Sequence, residues 1–261
     1  MEEFAKFIKT DEIKFKHAKG MRDIIGNEIH SYHEIFFFMG EDAEFISEHG
    51  HQKLLPNTTV IIPKETFHCF TVPGDNSLYQ RCVFNFDCVS ELDELIKSNL
   101  NEISLIQNER LTQYFKELTY LVESDYTEEE KKILLKSVFA QILVHVKKQA
   151  PISISPNVSS ITKRALAFIH DNLSSSLTAE SIAKAIFVSP SYLAHVFKKD
   201  LRIPIHKYVL ERRLITADKM IKNRTLPTRA CIECGFTDYS GFYLQYKKMF
   251  GVPPSAVKPK Q

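Results

Sequence analysis

Cysteine is scarce and scattered in this sequence. The five residues at 69, 82, 88, 231 and 234 are odd in number and far apart, which excludes a disulfide framework and fits a reducing compartment. Long hydrophobic runs are missing too: no apolar stretch approaches the ~20 residues that cross a bilayer. The segment after Met1 is charged within its first three residues rather than basic and then apolar, so the expectation is a cytoplasmic protein with neither a membrane span nor a secretory leader. An apolar fraction of 44% against 25% charged residues excludes a mainly disordered chain. Its 261 residues allow one large or two ordinary domains.

Acidic residues are in short supply only in the C-terminal part. Ser159 to Gln261 carries 17 Lys and Arg against 7 Asp and Glu, a formal +10, which leaves −8 for Met1 to Val158 within a total of +2. Such asymmetry points to a polyanion partner for the C-terminal part alone, against the plainer reading of a basic solvated surface. The charge boundary coincides with APISISPNVSS at 150–160, whose Pro, Ser and Asn without amphipathic period read as a linker or an extended connection over 151–160.

Up to about residue 88 the pattern is one of short strands and turns. HSYHEIFFFM at 30–39 is β-branched and aromatic and stops at Gly40. Further strands read at Ala43–Ile46, Gln52–Leu55, Thr58–Pro63, Thr66–Val72 and Leu78–Phe86, with turns at Glu48–Gly50, Pro56–Asn57 and Pro73–Asn76. This spacing suggests a small antiparallel barrel or sandwich. From residue 89 the period becomes helical: a short helix over 90–99, then helices over 104–121 and 128–148. The last carries Ile133, Leu134, Phe139, Ile142, Leu143 and Val146 as a broad apolar stripe. A stripe this wide serves either as core or as a subunit interface.

The remainder reads as helices throughout. Ile161 to Asn172 forms the first, Thr178 starts the second, and Ser189 caps a third with Pro190 in its first turn. Forty-nine residues on, the pattern returns: Ser189, Ser191, Leu193, Phe197, Lys198, Lys199, Ile203 and Pro204 correspond to Asp238, Ser240, Phe242, Tyr246, Lys247, Lys248, Val252 and Pro253. The joint match is an internal duplication. Each copy has a preceding short helix, at 178–186 and 227–234, joined by a tight turn. That is the helix-turn-helix arrangement, whose second helix fits the ~12 Å major groove. A longer helix over 205–222 joins the units.

On these residues the chain resembles the AraC/XylS family of bacterial transcription regulators over 162–258. The signature stretches are Gly235-Phe-Thr-Asp-Tyr-Ser-Gly-Phe242 and Tyr246-Lys-Lys-Met-Phe-Gly-Val-Pro-Pro254, with Ile182-Ala183, Ser189–Leu193, Phe197–Lys199, Tyr208, Arg213 and Ala217 in the first unit and joining helix. Phe187 and Arg202 stand where the family usually has Gly, so the first turn either avoids positive φ or is strained. Ala230-Cys231 replaces the usual Ile-Ala, and Cys231 reads as a small buried residue rather than a redox sensor. No ligand pair follows Cys234 at zinc-site spacing.

The resemblance implies a non-enzymatic activator-type regulator that binds double-stranded DNA, with RNA polymerase as a further partner. Its DNA-facing residues would be Ser191, Tyr192, Ala194, His195, Lys198 and Lys199 in the first unit. In the second they would be Tyr239, Ser240, Gly241, Tyr243, Leu244, Lys247 and Lys248. Lysines meet phosphates and supply affinity, while His195 suits a purine edge and Ala194, Tyr243 and Leu244 suit thymine methyls.

Many members of the family carry an N-terminal cupin-like, arabinose-binding-type domain followed by dimerisation helices. The stretches 30–40 and 55–68 look like it, with Asn57 in place of Gly after Pro56. The fold expected is therefore two-domain α+β. A cupin-like effector-binding barrel (about 1–88) with dimerisation helices (about 89–150) precedes a linker at 151–160 and an all-α double helix-turn-helix domain at 161–261, and the whole is a homodimer. Candidate effector residues are His30, Glu34, Phe36, Phe38 and His68. No cofactor or metal is expected. The alternatives are a metal-dependent cupin enzyme using His30, Glu34 and His68, and a barrel that serves only to dimerise. His30 and His33 would face opposite sides of a strand, which departs from the His-x-His start of a metal-binding cupin.

Overall fold

The computed structural model describes residues 4–20, 24–72, 79–152, 154–155 and 157–257. The chain forms two compact units, Met1–Pro156 and Asn157–Gln261.

In the first unit the strands are β1 (Phe4–Lys9), β2 (Ile13–Lys19), β3 (Ile24–Glu28), β4 (His33–Phe38), β5 (Ala43–Ser47), β6 (Gly50–Leu54), β7 (Thr58–Ile62), β8 (His68–Thr71), β9 (Gln80–Phe86) and β10 (Ser104–Gln107). They pair antiparallel into a six-stranded sheet, β1-β2-β9-β4-β7-β10, and a four-stranded sheet, β3-β8-β5-β6. Helices α1 (Asp93–Asn99), α2 (Glu109–Glu123) and α3 (Glu128–Val146) follow β9.

The run His33–Phe38 explains the layering. All six residues are buried, so this strand needs partners on both faces. Ile35 and Phe37 share a core with Phe84, Ile61, Phe115 and Phe139, between the larger sheet and the helices. Phe36 and Phe38 share another with Val60, Phe45 and Phe70, between the two sheets. The architecture is thus helices, six strands, four strands. It corrects the expectation of a closed barrel: among the described residues no ladder joins the two sheets, which pack face to face as a sandwich.

One other expectation changes, and two readings gain detail. The helix expected from residue 104 starts at Glu109, because Ser104–Gln107 adds an edge strand to β7, with Leu105 opposite Val60. Asn108 then caps α2, its side chain accepting from the Leu111 N–H. The stripe on α3 is core except for Ile133, which is exposed, with Leu134 half-buried at the core margin; Leu135 and Val138 complete the buried face. Within 151–160, two residues make isolated bridges, as an extended connection would. Ile152 bridges Leu105 on the edge of the larger sheet, and Ser155 bridges His51 on the edge of the smaller one. The turn expected at Pro73–Asn76 and the strand start at Leu78 lie outside the described residues.

In the second unit the helices are α4 (Ser160–Asp171), α5 (Ala179–Ala185), α6 (Pro190–Leu201), α7 (Ile205–Lys222), α8 (Pro227–Glu233) and α9 (Tyr239–Phe250). Thr178 forms a capping box with Ser181, Ser189 accepts from the Tyr192 N–H, and Asp238 accepts from the Ser240 and Gly241 N–H groups. No described helix is long and apolar enough to cross a membrane.

The duplication recurs in backbone detail. Phe187 (φ 57°) and Gly235 (φ 78°) turn the chain after α5 and α8, and Arg202 (φ 58°) and Gly251 (φ 74°) end α6 and α9. Phe187 therefore accepts left-handed strain rather than avoiding it, with its side chain 90% exposed. The glycines differ in surroundings. A Cβ on Gly251 would meet nothing within 4 Å, while one on Gly235 would lie 2.8 Å from the Ser174 carbonyl oxygen and 3.0 Å from that of Leu173. In urea unfolding followed by circular dichroism, Gly251→Ala should cost about 1 kcal/mol from backbone strain, and Gly235→Ala about 2 kcal/mol or more, since backbone carbonyls cannot step aside. Equal costs would contradict this packing.

Candidate functional site

Two places in the molecule carry chemistry. The first is the outward sides of α6 and α9. In α6, Leu193, Val196, Phe197 and Leu201 are buried, which leaves Ser191, Tyr192, Ala194, His195, Lys198 and Lys199 exposed on the other side. In α9, Phe242 and Tyr246 are buried, and Tyr239, Ser240, Leu244, Lys247 and Lys248 are exposed, with Gly241 and Tyr243 half-buried. Leu244 is 66% exposed. Gly241 has a structural role as well: a Cβ there would lie 2.5 Å from the capping carboxylate of Asp238.

Both helices are fixed from behind. The Tyr246 hydroxyl donates to Asp218 Oδ1 of α7 at 2.5 Å, and Lys222 pairs with Asp218 Oδ2 at 2.7 Å. Burial, reinforced by the Asp218 charge, pushes the phenol well above the usual tyrosine range, so it remains a donor. In the first unit Asp200 accepts from the Ser159 N–H and the Thr162 hydroxyl, tying α6 to the start of α4. Arg164 donates to the Ile186 carbonyl at the first turn. Forty-nine residues later Arg213 donates to the carbonyls of Leu173, at 3.0 Å, and Ser175. Cys231 and Cys234 are buried thiols held above the usual range chiefly by burial.

The second place is a cavity of about 190 Å³ in the first unit, lined by residues from β2, β3, β4, β8 and β9 and by Tyr32. Alternation puts Lys14 and Lys16 of β2, Glu34 and Phe36 of β4, and Arg81, Val83 and Asn85 of β9 on one sheet face. Phe36 stacks on Phe70 across the gap, with ring centroids 4.0 Å apart. Of the sequence candidates, Glu34, Phe36 and His68 line the cavity. Phe38 lies in the inter-sheet core beside Tyr79, and His30 sits just behind Glu34. His33 is on the opposite face, stacked on Phe86 and accepting from the Lys64 N–H.

Glu34, His30 and His68 form a buried cluster. Glu34 Oε2 is 3.5 Å from His30 Nε2, and Oε1 is 3.9 Å from His68 Nε2. Burial opposes charge on Glu34, but the two imidazoles outweigh it and hold the carboxyl below its usual range. Burial likewise opposes charge on His30, and the Glu34 carboxylate outweighs it, raising that imidazole. At His68 burial, aided by His30, outweighs the raising effect of the Glu34 carboxylate and the Thr66 carbonyl and pushes the imidazole down to about 4.

The sequence reading missed Lys14, Lys16, Glu28, Tyr32, Arg81 and Asn85 as cavity residues. The available signal was charge at alternate positions inside strands, Lys14-x-Lys16 and Arg81-x-Val83-x-Asn85, where a sandwich interior would otherwise be apolar.

Comparison with known proteins bears on the second unit. Residues 182–259 match the family described as helix-turn-helix domain. The chain is 34% identical over 89 residues to the uncharacterized HTH-type transcriptional regulator YijO of Escherichia coli (strain K12), covering 34% of this chain and 31% of that protein. To the Msm operon regulatory protein of Streptococcus mutans serotype c it is 28% identical over 129 residues, 48% of this chain and 46% of that one. The chain thus spans less than half the length of these curated relatives. Among solved structures it is similar to the C-terminal domain of AraT, a response regulator from Geobacillus stearothermophilus, at 28% identity, 38% of this chain, 84% of that one and a TM-score of 0.37.

Proposed function

We propose that the chain is a sequence-specific DNA-binding transcription regulator of the AraC/XylS type, acting as a homodimer and governed by a small organic effector held in its N-terminal unit. The observation that carries this reading is the duplicated helix pair. Two capped helices of equal length, each with a buried apolar side and two exposed lysines at the far end, lie within the segment that matches the helix-turn-helix family. The names of the relatives, regulators of transcription and of an operon, support it.

In this reading α6 and α9 enter the major groove. Lys198, Lys199, Lys247 and Lys248 lie along the phosphates, His195 offers a donor to a purine edge, and Ala194, Tyr243 and Leu244 meet thymine methyls. Long donors are few among these positions, so methyl contacts and DNA shape carry much of the sequence choice. The basic balance of the C-terminal part supplies counterion release, and RNA polymerase is the further partner that an activator would meet. In the first unit the cavity beside Glu34, Phe36 and His68 takes the effector. Exposed Tyr120, Ile133 and Val144 on α2 and α3 supply apolar area for the second subunit.

Three measurements test this. Against cognate and random duplexes across a salt series, Lys247→Ala or Lys248→Ala should weaken both by a similar factor and reduce the salt slope by up to about one unit. Leu244→Ala or His195→Ala should instead narrow the gap between cognate and random DNA by ~1–3 kcal/mol for a good base contact, and less for a methyl contact. Equal binding of every duplex by the wild-type protein would defeat the sequence-specific reading. Equilibrium sedimentation of the full chain should give a dimer at micromolar concentration, weakened by Ile133→Glu; a monomer would remove the homodimer. A screen of small metabolites for thermal stabilisation should return a hit that Phe36→Trp abolishes by filling the cavity. Stabilisation that survives this substitution would place the effector elsewhere.

A further inference from the structure

The His30, Glu34 and His68 cluster has a feature that effector binding does not explain. His30 Nδ1 donates to the Tyr32 carbonyl at 2.7 Å, and His68 Nδ1 donates to the Thr66 carbonyl at 3.2 Å. Each neutral ring therefore carries its proton on the outer nitrogen and turns the lone pair of Nε2 inward. His30 Nε2 is buried without a hydrogen-bond partner, in a residue only 6% exposed. That nitrogen faces the Glu34 carboxylate at 3.5 Å, and two buried acceptors set side by side are costly unless a proton or a metal cation lies between them. Backbone carbonyls that fix the tautomer from behind are the outer layer that histidine ligands of metals ordinarily have.

A further donor is placed at the mouth. Strand β3 shifts register between Ile25 and Glu28, which brings Glu28 directly opposite His68 on β8. One ligand atom each from Glu28, His30 and His68 lie within 4.8 Å of one another. With bonds of ~2.0–2.2 Å, ligand atoms around a tetrahedral ion stand roughly 3.3–3.6 Å apart. Glu34 brings Oε2 to 3.5 Å from His30 Nε2 and Oε1 to 3.9 Å from His68 Nε2, near that spacing, while the Glu28, His30 and His68 atoms, within 4.8 Å, draw in further around an ion. His33, three residues from His30, is no part of this set, because its ring lies across the sheet against Phe86.

We infer that His30, Glu34 and His68, with Glu28 at the mouth, form a binding site for one divalent first-row transition-metal ion. Two imidazoles and carboxylate oxygens select zinc, iron, cobalt or nickel over magnesium or calcium, which prefer all-oxygen shells. Glu34 and His68 also line the cavity, so the ion would sit at its edge. Lys14, Lys16 and Arg81 on the same lining favour a small anion as any additional ligand. The site deepens the reading of that cavity and stands whether or not the chain binds DNA, because its readout is metal content.

The full-length protein, stripped with a chelator and dialysed, is titrated with Zn²⁺ and separately with Co²⁺. One ion per chain should bind at micromolar concentration, Co²⁺ should give visible ligand-field absorption, and Zn²⁺ should raise the Tm. His68→Gln and Glu34→Gln should each weaken binding by roughly tenfold or more, while His33→Gln leaves it unchanged. Near-UV circular dichroism confirms that each variant is folded. Should Glu34→Gln not fold, His68→Gln and Glu28→Gln carry the comparison. Absence of binding at millimolar Zn²⁺, or affinity that persists in folded His68→Gln, would overturn the site.

Discussion

Double-sided burial of one strand organises the first unit. Because His33–Phe38 has no solvent face, one side must meet the helices and the other the second sheet, and α1, α2, α3 and the β3-β8-β5-β6 sheet are placed accordingly. The same constraint puts Glu34, one step from Ile35, inside the sandwich. A carboxylate there is tolerable only with partners, and His30 and His68 arrive from the two segments that flank it in space. The cavity and its polar cluster are consequences of how that strand is covered.

Burial of a different kind governs the second unit. Helices α6 and α9 are amphipathic in the strict sense that their inner residues are used by packing and capping. Asp238 and Ser189 close the helix starts, and Asp218 and Asp200 tie the helix bodies to neighbouring helices. What faces outward, from Ser191 to Lys199 and from Tyr239 to Lys248, is released from any duty to the fold save Gly241.

Much of this was legible in the sequence, for identifiable reasons. Caps at Thr178, Ser189 and Asp238 are local: a side-chain oxygen two or three residues before a backbone N–H needs no tertiary information, so the helix starts were readable. The duplication was readable because the repeat keeps its apolar spacing. Two offsets were hidden in it: the first helices of the two pairs are 48 residues apart and the second 49, since Gly235–Thr237 is one residue longer than Phe187–Val188. Strand β10 was invisible, because Ser104–Gln107 joins the apolar period of the following helix and only the open edge of β7 tells it to extend. The cavity was half legible. Histidines and Glu34 stand out in an aromatic strand, whereas Lys14, Lys16 and Arg81 look like ordinary surface charges until pairing brings β2 and β9 together. Closure of the sheets depends on long-range pairing, and strand spacing alone cannot tell a barrel from a sandwich.

The pairing order of the larger sheet also sets a timetable. Strand β2 needs β9, some sixty residues downstream, and β4 needs it too, while the edges of both sheets receive their last bridges only from Ile152 and Ser155. Hairpins β1-β2 and β5-β6 can close early, but the larger sheet cannot be completed until β9 has been synthesised. The second unit assembles from neighbouring helices whose contacts are short in sequence, and by topology it is the faster of the two to form. The slower half is the one made first, and its aromatic strand His33–Phe38, which meets β7 early, keeps its other edge open until β9 arrives; aggregation during synthesis is the hazard this arrangement carries.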